Sequence, residues 1–396
     1  MSSYGQIDPL RNGDLPYDSA TTYLIEVAAD RYDVSNSLNR SFIQKLFFGG
    51  YIDNDLKQSV ADRFNGSNYY RGSMSPSANF TLFPDFAKYG YTFSYRYTNY
   101  IDLEFTDDLF DLIFYGNSGT AGRRAILSKS NITYQTYHSF SFGLVGKKSG
   151  SFLNLGIYDG IDYRNYKFGS TVFQTEYEKF GENEFAEHIQ LSTSDSKFLE
   201  SSRSYKPFGN GLGIGLSGGY VFEGAGHTFR VSAIDVGIMY WRNLTSRDTT
   251  GYFEFKGFDY TPRSEGGLPN VIESLIDSII PTSNNTNEWI LLPGYVRVEY
   301  YAPAKRRFYA SGKAIHYYGR DSYTEFLADL NMKYGKKNTV WLTGGVGGYS
   351  SYILGLGTEF TIFKNGVLKL GTRQVLGVFD SRMPASHAYI QYTHRL

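Results

Sequence analysis

The chain of 396 residues has no cysteine and no net charge. Absent cysteine excludes a disulfide framework, thiolate metal ligands and thiol nucleophiles. Its 39 basic and 39 acidic residues cancel, so no global field would draw in nucleic acid or an anionic surface. No uninterrupted apolar run approaches the roughly 18 residues of a membrane-crossing helix, and mean hydropathy is −0.36. Spanning by helices is thereby excluded. Spanning by strands is not, because alternation of polar and apolar residues dilutes hydropathy.

Tyrosine, phenylalanine and glycine are abundant, at 36, 30 and 43 residues, and tyrosine in excess of phenylalanine favours amphipathic interfaces over a dry core. The segment 89–105, YGYTFSYRYTNYIDLEF, shows how the aromatics are used. Its odd positions, from Tyr89 and Tyr91 to Leu103 and Phe105, are nearly all apolar, and its even positions carry Arg96, Asp102 and Glu104. Side chains of a strand alternate between faces, so this is one very long strand with a greasy face and a charged one. Such a strand suits a wall between lipid and water.

The pattern recurs down the chain. Alternating runs lie near 71–83, 88–105, 132–146, 151–166, 211–223, 227–241 and 250–258, then in six closely spaced runs from Val296 onward and a last one ending at Leu396. Short turn signals such as Lys364-Asn365-Gly366 separate the later runs, which predicts an up-and-down meander. Within 227–241 the apolar phase slips between Ala233 and Ile234; a one-residue bulge or a broken strand produces this. The total predicts an all-β fold: a transmembrane antiparallel up-and-down barrel of about 14 strands, even-numbered as such barrels prefer. A barrel needs export, so the numbering is read as that of a mature chain without its signal peptide.

Three stretches depart from the alternation. Residues 37–64 read as two short helices around Gly49-Gly50, residues 168–206 as a long polar loop with some helix, and residues 268–280 as a helix with Val271, Leu275 and Ile279 on one stripe. The expected division is an N-terminal strand and helical segment over 1–67, capping or plugging the barrel, and the barrel itself over 68–396. Phe42, Leu46, Phe47 and Phe48, with the 268–280 stripe, are the candidate plug and partner contacts.

Residues able to carry chemistry are dispersed. The six histidines show no metal-ligand or HExxH spacing, and His138 and His316 fall on apolar strand faces, where a structural role is expected. Gly211 to Gly219 echoes a phosphate loop but runs on into Tyr220-Val221-Phe222 as strand, without the helix that a dinucleotide fingerprint requires. No catalytic residue, metal or cofactor is expected. The face predicted to line the lumen carries Arg96, Asp102, Glu104, Arg230, Glu254, Lys256, Arg297, Glu299, Lys313, Glu325, Asp329, Lys333, Glu359, Lys369 and Arg373. An ion-selective pore would bias one sign. This set is balanced and predicts cross-lumen partners in a barrel that conducts poorly.

The stretch Phe47-Phe-Gly-Gly-Tyr-Ile-Asp-Asn-Asp-Leu-Lys57, with Arg63-Phe-Asn and Ser75-Pro-Ser-Ala-Asn79, resembles an uncharacterised family of Bacteroidota outer-membrane barrels distantly related to FadL-like and PorV-like barrels. Ser75-Pro-Ser stands where that family has Asn-Pro. The resemblance implies a cell outer-membrane location, an N-terminal cap or plug, and no enzymatic residues. It further implies membership in a larger machine, with outer-membrane lipid and other outer-membrane proteins or lipoproteins as partners. Two functions are expected from this: accessory subunit of a protein export or assembly complex, or FadL-like transporter of hydrophobic small molecules with an apolar pocket beside the plug.

Overall fold

The computed structural model describes residues 22–85, 87–116, 120, 122–147, 149–180, 184–202, 204–255, 284–303, 307–319, 322–334, 338–348, 352–362, 365–380 and 382–396. In chain order the elements begin with β1 (Tyr23–Ser35), α1 (Arg40–Phe48), α2 (Asn54–Ala61), β2 (Asn68–Leu82) and β3 (Tyr89–Phe105). Next come α3 (Asp107–Phe114), β4 (Arg124–Ile126), β5 (Asn131–Gly146), β6 (Phe152–Lys167), β7 (Ser170–Phe180), β8 (Glu184–Glu200) and β9 (Gly211–Gly224). The second half holds β10 (His227–Phe255), β11 (Asn284–Leu291), β12 (Gly294–Tyr301), β13 (Phe308–Tyr318), β14 (Tyr323–Tyr334) and β15 (Asn338–Gly347). It closes with β16 (Ile353–Ile362), β17 (Gly366–Thr372), α4 (Val375–Phe379) and β18 (Ala385–Arg395).

Fourteen antiparallel strands form a closed barrel. The ring runs β1-β2-β3-β5-β6-β9-β10 and then β12 to β18, and β18 pairs back onto β1 from Leu24↔Arg395 to Val34↔Ala385. Closure leaves no row of unpaired backbone N–H and C=O groups along the wall. β4, β7, β8, β11 and the upper part of β10 continue one side of the wall beyond the ring. Both ends of the ring's chain, Tyr23 and Leu396, bond to each other at one rim. At that near rim the connections are short, as between β9 and β10, and the long insertions all sit at the far rim.

Facing follows the alternation. On β3 the even side chains Arg96, Thr98 and Asp102 are buried toward the interior, whereas Tyr89, Tyr91 and Phe93 are exposed outward. The phase slip in 227–241 is a bulge: register shifts between Ala233 and Val236, and Asp235 takes a left-handed φ of 55°.

Three expectations change here. The N-terminal division at 67/68 does not hold, because Tyr23–Ser35 is itself a wall strand; its Glu26, Asp30 and Asp33 masked the alternation. The polar 168–206 stretch is not a loop with helix but β7 and β8. Its buried positions mix Phe173, Leu191 and Phe198 with Thr171, Thr193 and Ser196, whose hydroxyls bond one another at 2.6–3.0 Å, so the apolar half of the alternation is interrupted by polar residues. The 268–280 helix, with Val271, Leu275 and Ile279, lies outside the described residues.

The third change concerns the helical segment. Asn39 caps α1 by accepting from Phe42 N at 2.9 Å, Asp53 caps α2 by accepting from Leu56 N at 2.8 Å, and Thr106 caps α3 by accepting from Leu109 N at 3.2 Å. Gly49 and Gly50, at φ 87° and 139°, end α1 in backbone that favours glycine. These helices do not enter the mouth. Leu38, Phe42, Ile43, Val60, Leu109 and Phe110 pack with Ile101, Leu103 and Ile132, which share the outward face of their strands with Phe93 and Phe142. The helices therefore cover the outer flank of the wall near the far rim. An apolar outward face is equally satisfied by lipid or by protein, and here protein covers it.

Candidate functional site

The interior is lined by charges that the fold pairs. Arg71 Nε lies 3.0 Å from Asp102 Oδ1, and its Nη2 lies 3.1 Å from Glu104. Arg230 and Arg297 each reach Glu299 Oε2 at 3.2 Å, and Tyr301 donates to the other carboxylate oxygen at 3.0 Å. Lys313 meets Asp329 at 3.1 Å, with the Thr343 hydroxyl donating to Asp329 at 2.5 Å. Lys369 meets Glu359 at 3.1 Å. Lys333 Nζ stands over the Tyr309 ring, 5.7 Å from its centroid. Apart from Arg297 and Tyr301, which meet Glu299 within β12, these contacts join neighbouring strands, where directly opposite residues lie within reach.

Two further pairs join strands that are not neighbours. Arg96 on β3 reaches Asp235 on β10 at 2.5 Å, passing β5, β6 and β9. Tyr158 donates its hydroxyl to the same carboxylate at 2.6 Å. Arg373, just past β17, reaches Glu325 on β14 at 3.2 Å. The Arg96 and Asp235 side chains are 5% and 0% exposed, so neither charge has recourse to water. Removing one partner of such a pair leaves an uncompensated buried charge, at a cost of about 3–5 kcal/mol.

All twelve lumenal positions Arg96, Asp102, Glu104, Arg297, Glu299, Lys313, Glu325, Asp329, Lys333, Glu359, Lys369 and Arg373 fall on wall strands or just past one. The Glu254 side chain and Lys256 lie outside the described residues. Sequence reading missed Asp235, Tyr158, Arg71, Glu26, Asp30 and His387. Asp235 had a signal: it is the lone charge at the phase slip, between Ile234 and Val236. Asp30 and His387 pair at 3.0 Å on the interior face of the closing seam, and Arg373 N donates to His387 Nδ1 at 3.0 Å. The outward His138 lies among Tyr95, Tyr97 and Phe140 and bonds the Tyr95 hydroxyl at 2.9 Å.

Of the four candidate plug residues, Phe42 and Leu46 line an apolar seam of about 30 Å³ with Leu103, Phe110, Phe114 and Ile132. Phe47 stacks on Tyr70 at 5.3 Å, and Phe48 is exposed beneath α1 with Arg31 over its ring. All four are on the outer flank.

A family model described as a family of unknown function, DUF5723, matches residues 30–365. No curated protein matches the chain. Among solved structures it is similar to the toluene transporter TodX of Pseudomonas putida, at TM-score 0.44 and 9% identity over 95% of this chain and 90% of that one. It is also similar to a FadL homologue of Pseudomonas aeruginosa, at TM-score 0.41 and 9% identity over 94% and 90%. The translocator domain of the autotransporter NalP from Neisseria meningitidis is similar at TM-score 0.37 and 10% identity, over 96% and 91%.

Proposed function

This chain belongs to that family of unknown function, DUF5723, and we propose that it is a closed, non-enzymatic barrel of a cell outer membrane. Its role in this reading is that of an accessory subunit in a protein export or assembly complex. The exposed outward row Phe80, Phe93, Phe142, Leu155 and Leu216 gives the membrane part of the reading its support, since such a surface is matched by hydrocarbon and not by water. Outer-membrane lipid is accordingly one partner, and other outer-membrane proteins or lipoproteins are the others.

The observation that carries the accessory role is the pairing of the interior. Arg96–Asp235 and Arg373–Glu325 tie separate arcs of the wall across the lumen, while the most elaborate part of the molecule, α1 to α3 with β4, β7 and β8, sits on the outer flank of the far rim. A barrel tied shut inside and built up outside presents a surface, not a passage. Single-channel recording on reconstituted protein tests this. Brief, small or no conductance is expected; a large and stable open state would overturn the reading in favour of a pore.

The apolar seam under α1 favours a second reading, a FadL-like transporter of hydrophobic small molecules. Phe42, Leu46, Phe110 and Phe114 would contact the cargo. A volume of about 30 Å³ has room for only about two water molecules, so a cargo-sized site requires α1 to swing away from β3. Co-purified fatty acid or detergent wedged between α1 and Leu103 would support this reading, and exclusion of such molecules from the seam would count against it.

A further inference from the structure

Below α1 the outer flank opens into a second, quite different cavity of about 350 Å³. It is roofed by Phe47 and Phe48 and floored by outward residues of β1, β2, β3, β5 and β6. Two arginine–aspartate pairs face into it from opposite sides. On β1, Arg31 Nε bonds Asp33 Oδ2 at 2.8 Å; on β6, Arg164 Nη2 bonds Asp162 Oδ2 at 3.2 Å. Aromatic faces from Phe48, Tyr97 and Tyr134 complete the lining. The Asp33 side chain is 8% exposed and also accepts from the Tyr70 hydroxyl at 2.7 Å. Arg31 is held differently: its guanidinium lies 4.7 Å over the Phe48 ring, and its Nη1 and Nη2 make no hydrogen bond to any described residue.

The position of this cavity matters as much as its lining. Met74 borders it and is 49% exposed. From there the outward surface continues down β2 and β3 through Phe80 and Phe93 to the near rim. The cavity is thus the upper end of the exposed apolar surface, at the height where charged side chains give way to apolar and aromatic wall.

We propose that this cavity holds the headgroup of one membrane lipid, a glycerophospholipid whose head carries both a phosphate and a primary amine. The free fork of Arg31 presents two donors in the geometry that suits a phosphate. Asp33 and Asp162 offer carboxylates to the amine, and the acyl chains lie along Met74, Phe80 and Phe93. Two cations and two anions around one cleft match a zwitterion better than a bare anion, because a phosphate alone would leave both carboxylates facing like charge. The proposal rests on the reading of the exposed surface as lipid-facing and is independent of the accessory role.

The test uses the full chain in detergent, relipidated with phosphatidylcholine containing a minor fraction of either phosphatidylethanolamine or phosphatidylglycerol, with retained lipid counted by native mass spectrometry. One phosphatidylethanolamine is expected to persist through delipidation. Its retention should fall about tenfold in Arg31→Gln, the scale of one charge-assisted hydrogen bond, and stay unchanged in Lys88→Gln at the opposite rim. Heat-modified gel mobility verifies that each variant retains its barrel. Equal retention of phosphatidylglycerol, or loss of preference with no response to Arg31→Gln, would overturn the proposal. Flotation with phosphatidylcholine vesicles separates the two levels. A chain that does not float overturns the lipid-facing reading and this one with it, whereas a chain that floats without headgroup preference overturns the cleft alone.

Discussion

Two apolar rows run across the same arc of wall and face the same way. The lower one passes Phe80, Phe93, Phe142, Leu155 and Leu216 on β2, β3, β5, β6 and β9, and every member is exposed. The upper one passes Tyr70, Leu103, Ile132, Tyr166 and Phe198 on β2, β3, β5, β6 and β8, and every member is buried. Chemistry and direction are alike in the two rows. Only the neighbour differs: three capped helices above, and no packed element among the described residues below. The difference teaches that an outward apolar side chain has no fixed meaning in a barrel until its height is known.

The strongest test of that distinction is truncation on each side of it. Phe42→Ala removes the aromatic that α1 sets against Phe110 and Phe114 and should cost about 3–5 kcal/mol of local stability, read as faster amide exchange over α1. The matching Phe142→Ala in the lower row should leave wall exchange nearly unchanged in lipid, because hydrocarbon fills the space. Equal costs would erase the comparison.

A charge sharpens it from the other side. Phe142→Arg should weaken refolding into bilayers by about 2–4 kcal/mol if that residue lies near mid-bilayer, and by less nearer an edge. Asn39→Ala should be milder, about 1 kcal/mol from the lost α1 cap, seen as increased protease sensitivity of residues 36–67 with the barrel intact.

The smallest effect is one of pH. Asp53 is held below the usual carboxylate range, first by the backbone N–H of Leu56 and then by Lys45. A depressed carboxyl contributes stability at pH above its unfolded value of about 3.9, and that contribution disappears as pH falls through the lower folded value. Proteolysis of the α2 segment should therefore quicken only in strongly acidic buffer, with no change in barrel mobility, and Asp53→Asn should abolish the dependence.

The C-terminal meander was legible because Phe326 to Tyr334 and its neighbours alternate without interruption, and period-2 alternation is a direct image of the pleat. The bulge was legible as a phase slip. β1 was not, because Glu26, Asp30 and Asp33 fall on both faces; nor were β7 and β8, where threonine and serine share the buried positions with Phe173, Leu191 and Phe198. The pairing of Lys313 with Asp329 follows from strand adjacency, but Arg96–Asp235 depends on how the wall curves, which no local pattern encodes. Placement of α1 outside the wall was equally hidden, since Ile101 and Leu103 continue the apolar phase of Phe93 without a break.

The seam between β1 and β18 sets the order of events in making this molecule. Leu24 pairs with Arg395 and Val34 with Ala385, so the pairing that completes the ring joins its first and last strands in sequence. Wall contacts that do not involve β18 can form before it arrives, but this one, like the pairing of β17 with β18, cannot. Until then two raw edges, one at each end of the sheet, stay open to any strand nearby. The interval is prolonged by the length of chain that must be brought around. Until the seam closes, those edges are where this barrel is most open to pairing with another chain.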